Sequence, residues 1–293
     1  MNLEDVARKC KQSFPFYAKN ILKIVSKEGE SLPFKLNPAQ IYVHEKLEKQ
    51  LKQQGNIRAL ILKARQTGIS TYAQGRNFWK VTQTRNANAF VLSHLAESTT
   101  AIFNMVRYFY ENIPHPAFKP DLQSSSSSML VFDKINSRYR VGTARSTQTG
   151  RGQTNRFIHG SEVAYYPAGS DIVAGLLQTV GGSGSEVILE STANGVGGWF
   201  YDQVMKSQRG ETEWITCFVP WFIMSEYQKK PSRYFEITPE EYRLKEKYNL
   251  TDAQICFRRA KLDELGGTDL FDQEYPSTVP VSYTHLRAHE TRS

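Results

Sequence analysis

The stretch LILKARQTGIST, residues 60–71, decides how this chain is read. Leu60, Ile61 and Leu62 form an apolar run that passes into a polar loop with one glycine, Gly68, and then into Ser70 and Thr71, which open a helix. A strand, a short loop and a helix N-terminus in series present backbone N–H groups and the positive end of a helix dipole to an anion. The standard nucleotide loop, G-x-x-x-x-G-K-[ST], is only half met. Counting back from Gly68, its first glycine position is Lys63, and its lysine position is Ile69. On its own the stretch reads equally as a phosphate loop or as an ordinary strand-turn-helix joint.

The surrounding sequence has the composition of a globular protein. Of 293 residues, 40% are hydrophobic and 12% aromatic, enough for a proper core, and 37 Lys+Arg against 29 Asp+Glu leave a net charge of +8. That balance favours an acidic partner, nucleic acid above an acidic metabolite. Cys10, Cys217 and Cys256 are isolated, which excludes a C-x-x-C zinc site and a disulfide framework and fits a reduced, intracellular setting. No run approaches 18 apolar residues, so a soluble protein outside the membrane is expected.

Outward from the loop, residues 1–31 read as helical and charged. PFKLNPAQ, 33–40, interrupts them, with Asn37 placed to cap a helix and Pro38 in its first turn, and Gly55-Asn56 ends that helix. On the other side come a helix from Ser70 to about Thr84, a strand at 89–93, an amphipathic helix with Ile102, Phe103, Val106 and Phe109 on one face, and a serine run at 124–128 read as a solvated loop. MLVFD and RYRVG flank Asn136-Ser137 as a hairpin. Strands at NRFIHG, EVILES and 213–222 alternate with helices at 171–180 and 199–205. This rhythm predicts an α/β fold with a mainly parallel sheet covered on both faces. After Pro220 charge rises, two short helices follow and the strand rhythm ends, which places a boundary near 220.

Three sites lie in order at strand ends: the loop 63–70, Ser161-Glu162 in RFIHGSEVAYYP, and Ser191, Thr192, Ala193 and Asn194 in EVILESTANG. A cradle, a carboxylate and small hydroxyl or amide groups are what phosphoryl transfer requires. In this order they resemble the large terminase subunit of tailed phages, over about residues 30–278. The resemblance implies a P-loop ATPase that pumps DNA into a procapsid, with Lys63 as the displaced loop lysine. ATP phosphates would lie on Lys63, Ala64, Arg65, Gln66, Thr67, Gly68, Ile69, Ser70 and Thr71, and Mg²⁺ on Ser70 and Glu162. PFKLNPAQ resembles the adenine-recognition segment, with Gln40 at the adenine edge and Phe34 or Tyr42 stacking. Glu162 would be the catalytic carboxylate, preceded by Ser161 where the family has Asp, and residues 191–194 the coupling motif. Arg151 in GRG, 150–152, would be the arginine finger reaching a neighbouring subunit.

From Lys134 to Arg156 there are six basic residues and no acidic one. Arg138, Arg140, Arg145 and Arg156 would line a DNA channel through phosphate contacts. Four segments are expected: an N-terminal helical segment at 1–31, the ATPase domain at 32–220, a linker subdomain at 221–278 that leads to an absent RNase H-like nuclease, and a non-native tail at 279–293. The partners implied are double-stranded DNA, a portal protein, a small terminase subunit and further copies of the chain in a ring, in the host cytoplasm. Two other readings stay open: a helicase-like translocase, although a D-E-A-D/H box and a second motor domain are missing, and a nucleic-acid-binding assembly protein whose nucleotide site has decayed. Nucleotide binding separates the last from the others.

Overall fold

A computed structural model describes residues 2–145 and 153–284, with eleven α-helices and ten strands among them. In chain order these are α1 (Leu3–Gln12), α2 (Phe14–Ile21), β1 (Lys23–Val25), β2 (Ser31–Pro33), α3 (Pro38–Gln54), β3 (Ile57–Lys63), α4 (Ile69–Gln83), β4 (Asn88–Ser93) and α5 (Ala96–Glu111). Then come β5 (Leu122–Ser125), β6 (Met129–Phe132), β7 (Ser137–Thr143), β8 (Phe157–Ser161), α6 (Gly169–Leu177), β9 (Glu186–Ser191), α7 (Gly198–Gln208) and β10 (Ile215–Val219). The described chain closes with α8 (Pro239–Tyr248), α9 (Asp252–Leu265), α10 (Thr268–Glu274) and α11 (Val281–Thr284).

Eight strands form one sheet in the order β10-β3-β9-β8-β4-β7-β6-β5. The first six run parallel, and β6 and β5 add an antiparallel edge. All parallel strands therefore end at the same edge, where their connecting loops gather. The expected α/β architecture is present, and its strands explain it. Side chains alternate across the sheet with period two. Ala59, Ile61, Val91, Ile188 and Val219 face one apolar layer, shared with α2, α3, α4 and α5. Leu60, Leu62, Phe90, Ile158, Leu189 and Phe218 face the other, shared with α6 and α7.

Several expectations need correction. Residues 1–31 are not wholly helical, because Ile24 and Val25 open a small antiparallel hairpin with Ser31–Pro33 across a turn in which Gly29 takes φ +83°. The serine run is not all loop: Leu122–Ser125 pairs with β6 as the exposed sheet edge, where backbone bonding from a neighbour outweighs the weak strand propensity of serine. The hairpin at 129–143 turns at Asp133–Asn136, with Asn136 at φ 49°, so Ser137 is already in the strand. Its hydroxyl donates to the Thr84 carbonyl and accepts from the Ala87 N–H.

Beyond residue 220, α9 and α10 pack onto the same apolar layer as the sheet. The Trp221 ring lies 5.6 Å from Phe257 and 6.0 Å from Phe271, and Tyr227 stacks on Phe257 at 5.0 Å. Tyr283 meets Tyr201 at 4.8 Å on the opposite layer, and residues 285–293 of the expected tail lie outside the described residues. Among the described residues no helix is long and apolar enough to cross a membrane.

Candidate nucleotide-binding site

The loop that follows β3 is built for a tight reversal. Gln66 and Gly68 both adopt left-handed backbone, at φ 55° and 74°. The positive φ at Gly68 favours glycine, and a side chain there would begin 2.8 Å from the Gln40 amide nitrogen and displace it. α4 starts immediately after, with no side-chain cap on its N-terminus, which leaves its first N–H groups available to an anion. Ile69 is buried in the core and offers the loop its backbone alone.

α3 braces this loop from outside. Asn37 and Gln40 form a reciprocal capping box, and their side-chain amides also donate to the carbonyls of Thr67, at 3.1 Å, and Gly68, at 2.7 Å. Gln40 is buried, its carbonyl oxygen taken by the Asn37 N–H and its amide nitrogen by Gly68. The structure thus has it holding the loop in shape. Phe34, expected to stack on a base, is instead a core residue, 1% exposed and stacked on Phe109. Tyr42 is half-buried beneath Lys46. Thr71 lines an apolar cavity of about 380 Å³ with Ile24, Val25, Met105 and Tyr108.

Lys63, at the end of β3, points into a cluster of acids. Its Nζ lies 2.8 Å from Glu162 Oε1 and 3.1 Å from Glu190 Oε2. Burial alone would lower its pKa, but the two carboxylates outweigh that and hold it above the usual lysine range. Glu162 sits just past β8 in left-handed backbone, φ 56° and ψ 50°, a conformation that costs a non-glycine residue about 1 kcal/mol or more. Its second oxygen accepts from the Thr192 N–H and the Ser191 hydroxyl, each at 3.3 Å. The three expected sites therefore meet: Lys63, Glu162, Ser191 and Thr192 are in direct contact. Asn194 donates to the Ala164 carbonyl, and the Ala193 carbonyl accepts from Tyr165. Arg151 lies outside the described residues.

Glu190 is not among the expected site residues. It is the fifth residue of β9, fully buried, and pairs in register with Ser161. Its Oε1 accepts from the Ser70 hydroxyl at 2.7 Å and the Ser161 hydroxyl at 2.9 Å, with His159 Nε2 at 3.5 Å. Its Oε2 is buried and has no hydrogen-bond partner, Lys63 making only an ion contact there. Burial would raise its pKa, yet the Lys63 charge and the hydrogen bonds hold it well below the carboxylate range. A charged residue inside a strand buried on both faces requires such partners, and that is the available signal in EVILES.

Residues beyond 220 are tied to the loop and to the segment after β8 by several contacts. The Arg65 N–H donates to the Glu274 carbonyl at 2.8 Å, and its guanidinium meets the Glu274 carboxylate at 3.2 Å. The Arg65 carbonyl accepts from the Tyr227 hydroxyl, and Gln273 donates to Tyr165. Arg65, His94, Glu162, Tyr165, Thr192 and Glu274 enclose a cavity of about 220 Å³. In the basic stretch, Arg140 lies over Phe90 at 4.5 Å and Arg156 donates to the Ser183 carbonyl, so both are engaged locally, while Arg145 is exposed.

A glycine loop, a lysine and a carboxylate gather at the ends of parallel strands, the edge of an open α/β sheet where ligands commonly bind. Comparison with solved structures narrows this further: the fold is that of the ATPase domain of phage large terminases. The large terminase of bacteriophage HK97 superposes with a TM-score of 0.65 at 14% identity, over 91% of this chain and 54% of that one. The large terminase ATPase domain of Thermus phage P74-26 gives 0.50 at 16% identity, covering 74% of this chain and 86% of that one. The large terminase of a thermophilic bacteriophage, in complex with ATP-γ-S, gives 0.50 at 10% identity, over 73% and 49%. The chain thus spans about half the length of the HK97 protein. No protein-family model and no curated protein matches the sequence.

Proposed function

We propose that this chain is the motor half of a large terminase: a P-loop ATPase that uses ATP hydrolysis to drive double-stranded DNA into a procapsid. The observation that carries this reading is the contact of Lys63 with Glu162, and of Glu162 with Ser191 and Thr192, at the ends of three adjacent strands in a sheet of the terminase ATPase fold.

ATP phosphates would lie on residues 64–70 and draw the Lys63 ammonium away from Glu162. Freed of its ion pair, Glu162 would orient the attacking water and accept its proton, while still tied to Ser191 and Thr192. Loss of the Lys63 contact would thereby be felt by the coupling segment, which reaches Gln273 through Tyr165. The residues present suit Mg²⁺, since the Ser70 hydroxyl faces a buried carboxylate with one unmet oxygen. The ion would neutralise phosphate charge there. Arg151 is assigned as the finger acting on a neighbouring copy in a ring, and exposed Arg145 as a contact to DNA phosphate. Portal protein and small terminase subunit are the proposed assembly partners, in the host cytoplasm. Nuclease chemistry is not assigned to residues 1–293.

The test is steady-state ATP hydrolysis at high protein concentration with DNA present. Glu162→Gln should lower kcat by about 10²- to 10⁴-fold and leave ATP binding intact. Turnover equal to the parent would sink the assignment.

A further inference from the structure

We propose that Glu190 is a positioning residue for nucleotide-bound magnesium, supplying from β9 the carboxylate that the acidic motif lacks at Ser161. This inference rests on the ATPase reading and adds a residue to it. Ser161 and Glu190 are register partners on adjacent strands, and their side chains meet at 2.9 Å. Moving a carboxylate one strand over, with a longer side chain, thus fills the space that an aspartate at 161 would occupy. The same Glu190 oxygen accepts from Ser70 at 2.7 Å, the hydroxyl assigned to the metal.

A counter-ion to Lys63 alone would not need this arrangement, because Glu162 already meets Lys63 at a shorter distance. Nor does a counter-ion explain two serine hydroxyls, one of them the hydroxyl assigned to the metal, gathered on the oxygen that Lys63 does not approach. An ionised carboxylate oxygen taken out of water carries a large desolvation cost unless donors surround it. Magnesium retains several of its waters when it binds a nucleotide, and such waters donate to carboxylates beyond the directly bonded ligands. Oε2, which faces the Lys63 ammonium at 3.1 Å, becomes an acceptor of that kind when phosphates draw Lys63 away, and the hydroxyls that hold Oε1 fix its place.

The experiment measures ATP affinity of the full chain with Mg²⁺ and with EDTA. The parent should bind ATP more tightly with Mg²⁺. Glu190→Gln should lose about 10- to 100-fold of that gain, with binding in EDTA unchanged within about twofold, because a neutral amide still packs but no longer attracts a cation's water. Adding Ser161→Asp to Glu190→Gln should restore most of the gain, a rescue that a purely structural role for Glu190 does not give. A variant that keeps the full magnesium gain overturns the inference, as does one that loses both affinities equally, or a folded double variant without rescue. If Glu190→Gln does not fold, Glu190→Asp is read in its place. Its carboxylate is shorter by one carbon, the gain should fall about tenfold, and an unchanged gain again overturns the inference. A parent that binds no ATP in either condition overturns the ATPase reading itself, whereas a parent that binds with a magnesium gain the variants keep overturns only the role of Glu190.

Discussion

Glu186 and Glu190 open and nearly close the same strand, four residues apart on one face, and both are fully buried. Glu186 is saturated. Arg76 donates to both its oxygens, at 2.6 and 3.1 Å, and Lys80 adds a contact at 2.7 Å. Glu190 has two hydroxyls and the shared Lys63, with one oxygen left without a hydrogen bond. The first lies at the edge where the parallel strands begin, the second at the edge where they end. A buried charge whose valences are all met holds a fold together, and one that is short of a donor is poised for something that arrives.

The sharpest way to break this contrast is to unpair the saturated site. Arg76→Ala leaves Glu186 with Lys80 alone and should cost about 3–5 kcal/mol in urea unfolding, as removing one partner of a buried ion pair does. A loss under about 1 kcal/mol, the range of surface pairs, would mean that the Glu186 cluster is not structural after all.

The same cluster sets a smaller, pH-dependent effect. His44 lies 3.0 Å from the Tyr72 hydroxyl and 3.3 Å from Arg76, and burial together with the Arg76 charge pulls its pKa down to about 4. Its folded pKa is below the ordinary value, so the unfolded chain binds the proton first. Stability from this group is complete above pH ~6.5 and declines as pH falls towards 4, by about 2 kcal/mol after allowance for its partial exposure. Unfolding free energy measured between pH 7 and 5 should show that slope, and His44→Gln should flatten it. The slope persisting unchanged in the variant would move its origin elsewhere. Glu186 and Glu190, whose folded pKa values are depressed by Arg76, Lys80 and Lys63, add their own loss from about pH 5 downward, where unfolded carboxylates begin to bind protons, so the His44 slope is read between pH 7 and 5.

Sequence periodicity carries most of this architecture, because a sheet buried on both faces writes continuous apolar runs and the turn before α4 is marked by Gly68 at φ 74°. Lys63 and Glu162 are legible because each stands at the boundary where such a run stops. Glu190 stands inside one, and a reading that assigns the run to a strand passes over the residue that does not fit it. Gln40 has a second reading in the sequence: N-P-A-Q is a capping box by its spacing, and in the structure the box uses both ends of the amide against α3 and the loop. Phe34 cannot be told from a stacking residue until Phe14 and Phe109 are seen on either side of it. The contact between Arg65 and Glu274 spans 209 residues, and no local pattern encodes it.

That long-range contact supplies the lower end of the comparison. The Arg65 side chain is 61% exposed, so its ion pair with Glu274 is screened by water where Arg76 and Glu186 are not. Glu274→Ala should therefore cost less than about 1 kcal/mol. The backbone bond from Arg65 to the Glu274 carbonyl survives the change, and with it the attachment of α10 to the loop after β3. If that attachment carries the nucleotide state to the chain beyond α10, Glu274→Ala should turn over ATP like the parent. Gln273→Ala cuts the side-chain link to Tyr165 instead. It should cost about 0.5–1.5 kcal/mol, the range for losing one partly buried hydrogen bond, and weaken any stimulation of hydrolysis by DNA. Equal stimulation in the two variants would show that the ends of the chain meet at the loop for packing alone.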